Sequence, residues 1–101
     1  MKSMTARQSK VAHEVQRLSA TALLQGRIPS TLPLSRVTVL DCWVSADLRL
    51  ARLYVQLPQG TPQAEFIGEL NAQAAKPLRK LLASQLGTKY IPNVSFHPAE
   101  E

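Results

Sequence analysis

Cysteine, histidine, aromatic residues and acids are all scarce in this 101-residue chain. It holds one cysteine (Cys42), two histidines, one tryptophan, two tyrosines and two phenylalanines. One cysteine excludes an internal disulfide and any zinc site built from cysteines. It suits a reducing compartment, so a cytoplasmic location is expected. His13 and His97 stand near opposite ends of the chain, and there is no metal-ligand spacing or Gly-rich phosphate loop. No apolar run reaches membrane-spanning length. The opening MKSMTARQSKVAHEV lacks an apolar signal-peptide core. No metal, cofactor, membrane or small-molecule substrate is therefore expected.

Acid scarcity has the sharpest consequence. Seven Asp and Glu face twelve Lys and Arg, a formal charge of +5. The excess is blocked. Residues 1–35 carry Lys2, Arg7, Lys10, Arg17 and Arg27 against Glu14 alone, and residues 76–89 carry Lys76, Arg79, Lys80 and Lys89 with no acid. Blocks of one sign favour a polyanionic partner over mere solubility.

The length fits one domain spanning 1–101, with residues 1–4 and 98–101 expected as flexible ends. Thr5 and Gln8 have capping-box spacing. Val11, Val15, Leu18 and Ala22 then recur at helical spacing, with Arg7, Lys10, Glu14 and Arg17 on another face. Gly26 ends that helix, and RIPSTLPLS reads as a loop. VTVLDCWVSADLRLARLYVQL, residues 37–57, reads as two strands around the turn Ser45-Ala46-Asp47-Leu48. Val37 and Val39 have one parity, Cys42 and Val44 the other. An extra residue near Leu40-Asp41, a β-bulge, would return both pairs to one core face and keep Asp41 off it. Ala51, Leu53, Val55 and Leu57 would face the core, with Arg52, Tyr54 and Gln56 outward.

Thr61-Pro62 reads as a helix start with Thr61 as cap. Phe66, Ile67, Leu70 and Ala74 give an apolar face. Pro77 inside a continuous helix would cost about 3 kcal/mol. Two helices meeting at Ala74-Ala75-Lys76 are therefore expected, the second ending at Gly87. A last strand runs from Asn93 to His97 behind Pro92. The order helix, strand, strand, helix, kink, helix, strand predicts an α+β fold. A three-stranded sheet would carry its helices on one face, the last strand parallel to the second.

Three stretches carry a family resemblance. VTVLDCWVSADLRLARLYV, LNAQAAKPLRKLLASQL and YIPNVSF resemble, in that order, the hairpin, kinked helices and last-strand entry of ribosome-binding factor A. The basic first helix matches in character. The resemblance implies a type II KH-like domain that binds 16S rRNA in the small (30S) ribosomal subunit during late maturation and rRNA processing. Such a factor is a non-catalytic monomer, in a family linked to growth in the cold. At the kink this chain has Ala74, Ala75 and Lys76 where the family usually has Ala-x-Gly. After Phe96 it reads His97-Pro98 where an aromatic-Asp step is usual.

Lys76, Arg79 and Lys80 are the first candidate rRNA-backbone contacts, at the start of the expected second helix, where free amides would also meet a phosphate. Lys89 lies close by in sequence. Arg7, Lys10 and Arg17 form a second candidate patch. For both groups the plainer alternative is a solvated helix face. Arg49 and Arg52 could extend a basic surface. Tyr54 points outward and could stack on a base, though such a tyrosine more often just covers the sheet. Trp43 is read as structural, covering the bulge or packing on the first helix. Cys42 is read as an inert core thiol, Asp47 as a turn residue, and Glu65 and Glu69 as a solvated stripe. No catalytic residue is assigned. The competing function is a KH-like protein-interaction domain whose basic patches are incidental.

Overall fold

Thr5 starts the first helix as its pattern predicts. The Gln8 N–H donates to Thr5 Oγ1 at 3.2 Å, and the Thr5 N–H to Gln8 Oε1 at 2.9 Å. In the computed structural model, which describes residues 3–99, this box opens α1 (Ala6–Leu24). Gly26 closes it with φ of +68°. The Arg27 N–H bonds Ala22 O at 3.0 Å and the Gly26 N–H bonds Leu23 O at 3.4 Å. That is a Schellman closure, which needs the left-handed backbone glycine adopts most easily. A 3-10 turn (Leu34–Arg36) leads to β1 (Thr38–Val44), β2 (Leu50–Gln56), α2 (Gln63–Gln85) and β3 (Asn93–Pro98).

The strands form a mixed sheet in the order β1-β2-β3, β1 antiparallel and β3 parallel to β2. The phase change in β1 is a bulge. The register slips between Val39 and Asp41, leaving Leu40 without a partner and half exposed. Val39, Cys42 and Val44 then all face the core with Ala51, Leu53, Val55, Val94 and Phe96. Both helices cover that face, α1 over β1 and α2 over β3. At the hairpin turn Leu48 has φ of 62°. A left-handed leucine costs about 1–2 kcal/mol. Its side chain is only 5% exposed, and burying a leucine contributes about 1.5–3 kcal/mol, so burial holds the strained backbone. Ser45 Oγ and the Arg49 N–H donate to Asp47 Oδ1, and these bonds hold that carboxyl below its usual range.

Three expectations change. First, α2 runs unbroken through Pro77; there is no second helix beginning at Ala74-Ala75-Lys76. Leu70, Ala74, Leu78 and Leu82 form one i, i+4 row with no exposed surface. Three fully buried leucines contribute about 5–9 kcal/mol, more than the proline costs. Second, Thr61 does not cap α2. Its N–H turns back to Pro58 O at 3.3 Å, and Pro62 is the cap residue, with no side-chain acceptor to offer. Third, Pro98, expected in a loose end, is the last residue of β3, and the Ala99 N–H bonds Val55 O at 2.9 Å. Residues 1–2 and 100–101 of the expected ends lie outside the described residues.

Helix amides occupy both outer edges of the sheet. Gln8 Nε2 donates to Val44 O at 2.8 Å and Gln16 Nε2 to Leu40 O at 3.2 Å along β1. On β3, Asn71 Oδ1 accepts the Phe96 N–H at 2.7 Å while its Nδ2 donates to Phe96 O at 3.0 Å. Asn71 thus takes the place of a neighbouring strand and blunts an edge that could pair with another chain. Asn71→Ala is expected to destabilise the protein by about 1–3 kcal/mol. Denaturant unfolding would measure that loss, and amide exchange at Phe96 should accelerate more than at Leu53. An unchanged Phe96 exchange rate would contradict the role given to Asn71.

Candidate nucleic-acid interface

Pinning of the segment after α1 decides where the basic residues meet. Ile28 is buried. Gln73 Oε1 on α2 accepts from Ser30 Oγ (2.7 Å), the Thr31 N–H (3.0 Å) and Thr31 Oγ1 (3.2 Å). Gln73 Nε2 is itself held by Glu69 Oε1 at 2.9 Å. The loop therefore lies alongside α2, one turn before Lys76 and two before Lys80. Arg27, Lys76 and Lys80 line a groove of about 710 Å³ with Pro29, Pro77 and Leu81. Arg27 was not among the candidate contacts. Its signal was the Gly26 closure just before it, but nothing in sequence spacing pointed to Gln73 as the anchor.

The other flank of α2 gathers a second group. Arg79 Nη2 donates to Ile91 O at 3.2 Å. Next to Ile91, the Tyr90 ring has the Arg49 guanidinium 5.0 Å from its centre and the Lys89 ammonium 5.5 Å from it. Tyr90 is 47% exposed. Its ring attracts both cations, which partly offsets their mutual repulsion. Sequence spacing gives no reason to single out Tyr90, and it offers Arg49 only as an extension of a basic surface; the fold brings both beside Lys89. Among the described residues none of Arg27, Arg49, Lys76, Arg79, Lys80 or Lys89 makes a salt bridge.

The first-helix patch is different. Arg7, Lys10 and Arg17 are exposed on α1. Arg17 is tied to Glu14 at 2.6 Å, and the hydrogen bond from Arg17 lowers the pKa of that carboxyl. Such an exposed pair adds little stability, but it removes Arg17 as a free cation. Lys10 lines a separate groove of about 1030 Å³ with His13, Glu14, Leu86 and Thr88. Arg52 is elsewhere again, on the sheet face away from the helices. Its guanidinium lies 5.0 Å from the centre of the Trp43 ring. Of the two placements expected for Trp43, over the bulge or on the first helix, the second is not the one taken, because the bulge that turns Cys42 and Val44 inward turns Trp43 out. Since α2 is continuous, no free helix N-terminus stands beside Lys76. Ala74 is buried there and Ala75 half-buried, and the cations alone remain.

Burial, with the Asp41 charge as a lesser cause, pushes the Cys42 thiol up to about 12, so no thiolate nucleophile is available at neutral pH. Among the described residues no three His, Cys, Asp or Glu side chains are placed to hold a metal ion, and no helix is long and apolar enough to cross a membrane.

Two helices on one face of a three-stranded mixed sheet, in the order α-β-β-α-β, with a basic outer helix, define a KH-like α+β domain. The family model described as ribosome-binding factor A matches residues 7–101. The chain belongs to the ribosome-binding factor A family. The family protein of Chlorobaculum parvum is 33% identical over 96 residues, 93% of this chain and 78% of that one. The protein of Methylobacillus flagellatus is 36% identical over 90 residues, 89% and 69% of the two chains. Among solved structures, a Thermotoga maritima protein described as a candidate ribosome binding factor A has a TM-score of 0.76 at 29% identity, over 99% of this chain and 93% of that one. The factor from Thermus thermophilus, at 19% identity and a TM-score of 0.70 over 90% and 94%, shares the fold. A homology model of the Thermus factor has been fitted into a cryo-EM map of its complex with the 30S subunit (TM-score 0.65, 19% identity, 86% and 89% covered).

Proposed function

We propose that this chain binds 16S rRNA in the small (30S) ribosomal subunit during late maturation and rRNA processing, as a cytoplasmic, cofactor-free monomer. It acts by occupying rRNA, not by catalysis. The observation that carries this reading is the convergence of three separate segments on the basic run of α2. Arg27, Arg49, the run Lys76–Lys80 and Lys89 surround its outer surface, with no acid paired to them among the described residues. Phosphate oxygens are the natural counter-charge for cations so arranged. Family membership and the 30S complex of the Thermus relative support the choice of subunit.

The test is co-sedimentation of the purified protein with isolated small and large ribosomal subunits across a salt series. Binding to small subunits that weakens steeply with salt, without equal binding to large subunits, is the expected result. Salt-insensitive binding would assign the domain to a protein partner. No binding at low salt would overturn the proposal.

A further inference from the structure

Among the described residues, no helix covers the sheet face turned away from α1 and α2. Arg52, in the middle of the central strand, is exposed, while its neighbours Ala51 and Leu53 have no exposed surface at all. Two cross-strand rows line this face. Trp43, Arg52 and Ser95 are successive partners across β1, β2 and β3, and Asp41, Tyr54 and His97 form the next row. The Arg52 guanidinium lies over the Trp43 ring. The Tyr54 and His97 rings are 5.7 Å apart, tilted by 37°. Ser95 Oγ and His97 Nε2 share a 2.8 Å hydrogen bond that fixes the imidazole. Burial, and secondarily the Arg52 charge, keep His97 neutral more readily than usual.

We propose that this open sheet face is a second RNA-contact surface, on which Trp43, Arg52, Tyr54 and His97 stack unpaired bases of the rRNA while α2 holds the phosphate backbone elsewhere. Three aromatic rings and one guanidinium plane, all on one pleated surface, match what single-stranded nucleic acid needs: π-faces that take any base, beside a cation. Two rows of side chains on one strand face lie about 7 Å apart, room for two splayed bases. Duplex RNA hides its base faces and has no use for this surface. The Asp41 carboxylate at the rim accepts the Cys42 N–H at 2.8 Å, so it is partly engaged with its own backbone. This inference rests on the RNA-binding reading above and extends it to the opposite side of the molecule.

The single tryptophan makes the test direct, because Trp43 emission reports on this face alone. The full chain is titrated with a fluorescein-labelled single strand of roughly ten mixed nucleotides, and separately with a duplex of equal length. Binding is followed by anisotropy and by Trp43 emission. The single strand should quench Trp43 and the duplex should not. Tyr54→Thr, which keeps a strand-favouring side chain, should weaken single-strand binding roughly tenfold; Tyr54→Phe should retain it. Arg52→Gln should weaken it without altering the circular dichroism spectrum. Anisotropy that rises while Trp43 emission stays constant, with Tyr54→Thr unimpaired, would overturn the sheet-face surface and leave the helix surface standing. A Trp43 response to rRNA-free small-subunit proteins, with none to RNA, would assign the face to protein and overturn the inference. Failure of the helix-surface reading shows separately, as loss of salt-dependent subunit binding.

Discussion

Replacing Arg27, Lys76 and Lys80 together by alanine is expected to weaken small-subunit binding about 50–150-fold at physiological salt. Each phosphate contact contributes about 0.7–0.9 to the slope of log affinity against log salt, which at 0.15 M amounts to about four- to sixfold per contact. Three lost contacts multiply, and the slope should fall by about 2–3. The fold should survive, because all three side chains are exposed and none makes a salt bridge among the described residues. A matched control replaces Arg7, Lys10 and Arg17. That triple variant removes the same formal charge but only cations on α1, one of which Glu14 already pairs. If the two triple variants lose affinity equally, net charge explains the binding and the groove does not. If the groove triple alone loses it, while a single Arg27→Ala variant matches Lys80→Ala in effect, the loop pinned by Gln73 is part of the interface. Subunit binding measured at several salt concentrations reads both the affinity and the slope.

Patterns local in sequence were legible. The capping box at Thr5 and Gln8, the Gly26 closure, the bulge and the parallel last strand all follow from spacing and backbone chemistry. The misread places are those where tertiary burial outweighs a local rule. Pro77 argued for a helix break, but the buried row Leu70, Ala74, Leu78 and Leu82 keeps the helix whole. Trp43, left between covering the bulge and packing on the first helix, follows the parity set by the same bulge that explains Cys42 and faces outward. The long-range roles of amide side chains were silent in the sequence. Gln8 shows only its capping role there, and Gln16, Asn71 and Gln73 are ordinary helix residues until their partners are known, yet the four blunt both sheet edges and pin the loop. Of the candidate contacts, Lys76 and Lys80 meet in one groove, Arg79 and Lys89 sit on the other flank of α2, and Arg52 lies across the sheet. Sequence found the cations, but only the fold could say which are neighbours.

Phe96→Ala should be among the most damaging single changes to the protein itself. Phe96 has no exposed surface and lies opposite Leu53 in the parallel pairing of β2 with β3. Its backbone is the one held by Asn71 from α2. Removing a buried phenylalanine ring costs about 3–5 kcal/mol, from lost transfer energy and the cavity left behind. A domain of this size has roughly 5–15 kcal/mol in total, so about a fifth or more of its stability would go. The loss should concentrate in β3, which joins the sheet along one edge only and is reached through the whole length of α2. Phe96→Leu, which keeps most of the volume, should cost far less. Denaturant midpoints would rank the two. Equal midpoints for Phe96→Ala and the parent would mean that β3 is not anchored through this side chain. The consequence reaches function, because β3 also carries Ser95 and His97 on its other face. If the open sheet face stacks bases, Phe96→Ala at a temperature where the domain is still folded should lower Trp43 quenching by single-stranded RNA. Small-subunit binding through α2 should fall less, since Lys76 and Lys80 stand on a helix whose buried row does not include Phe96.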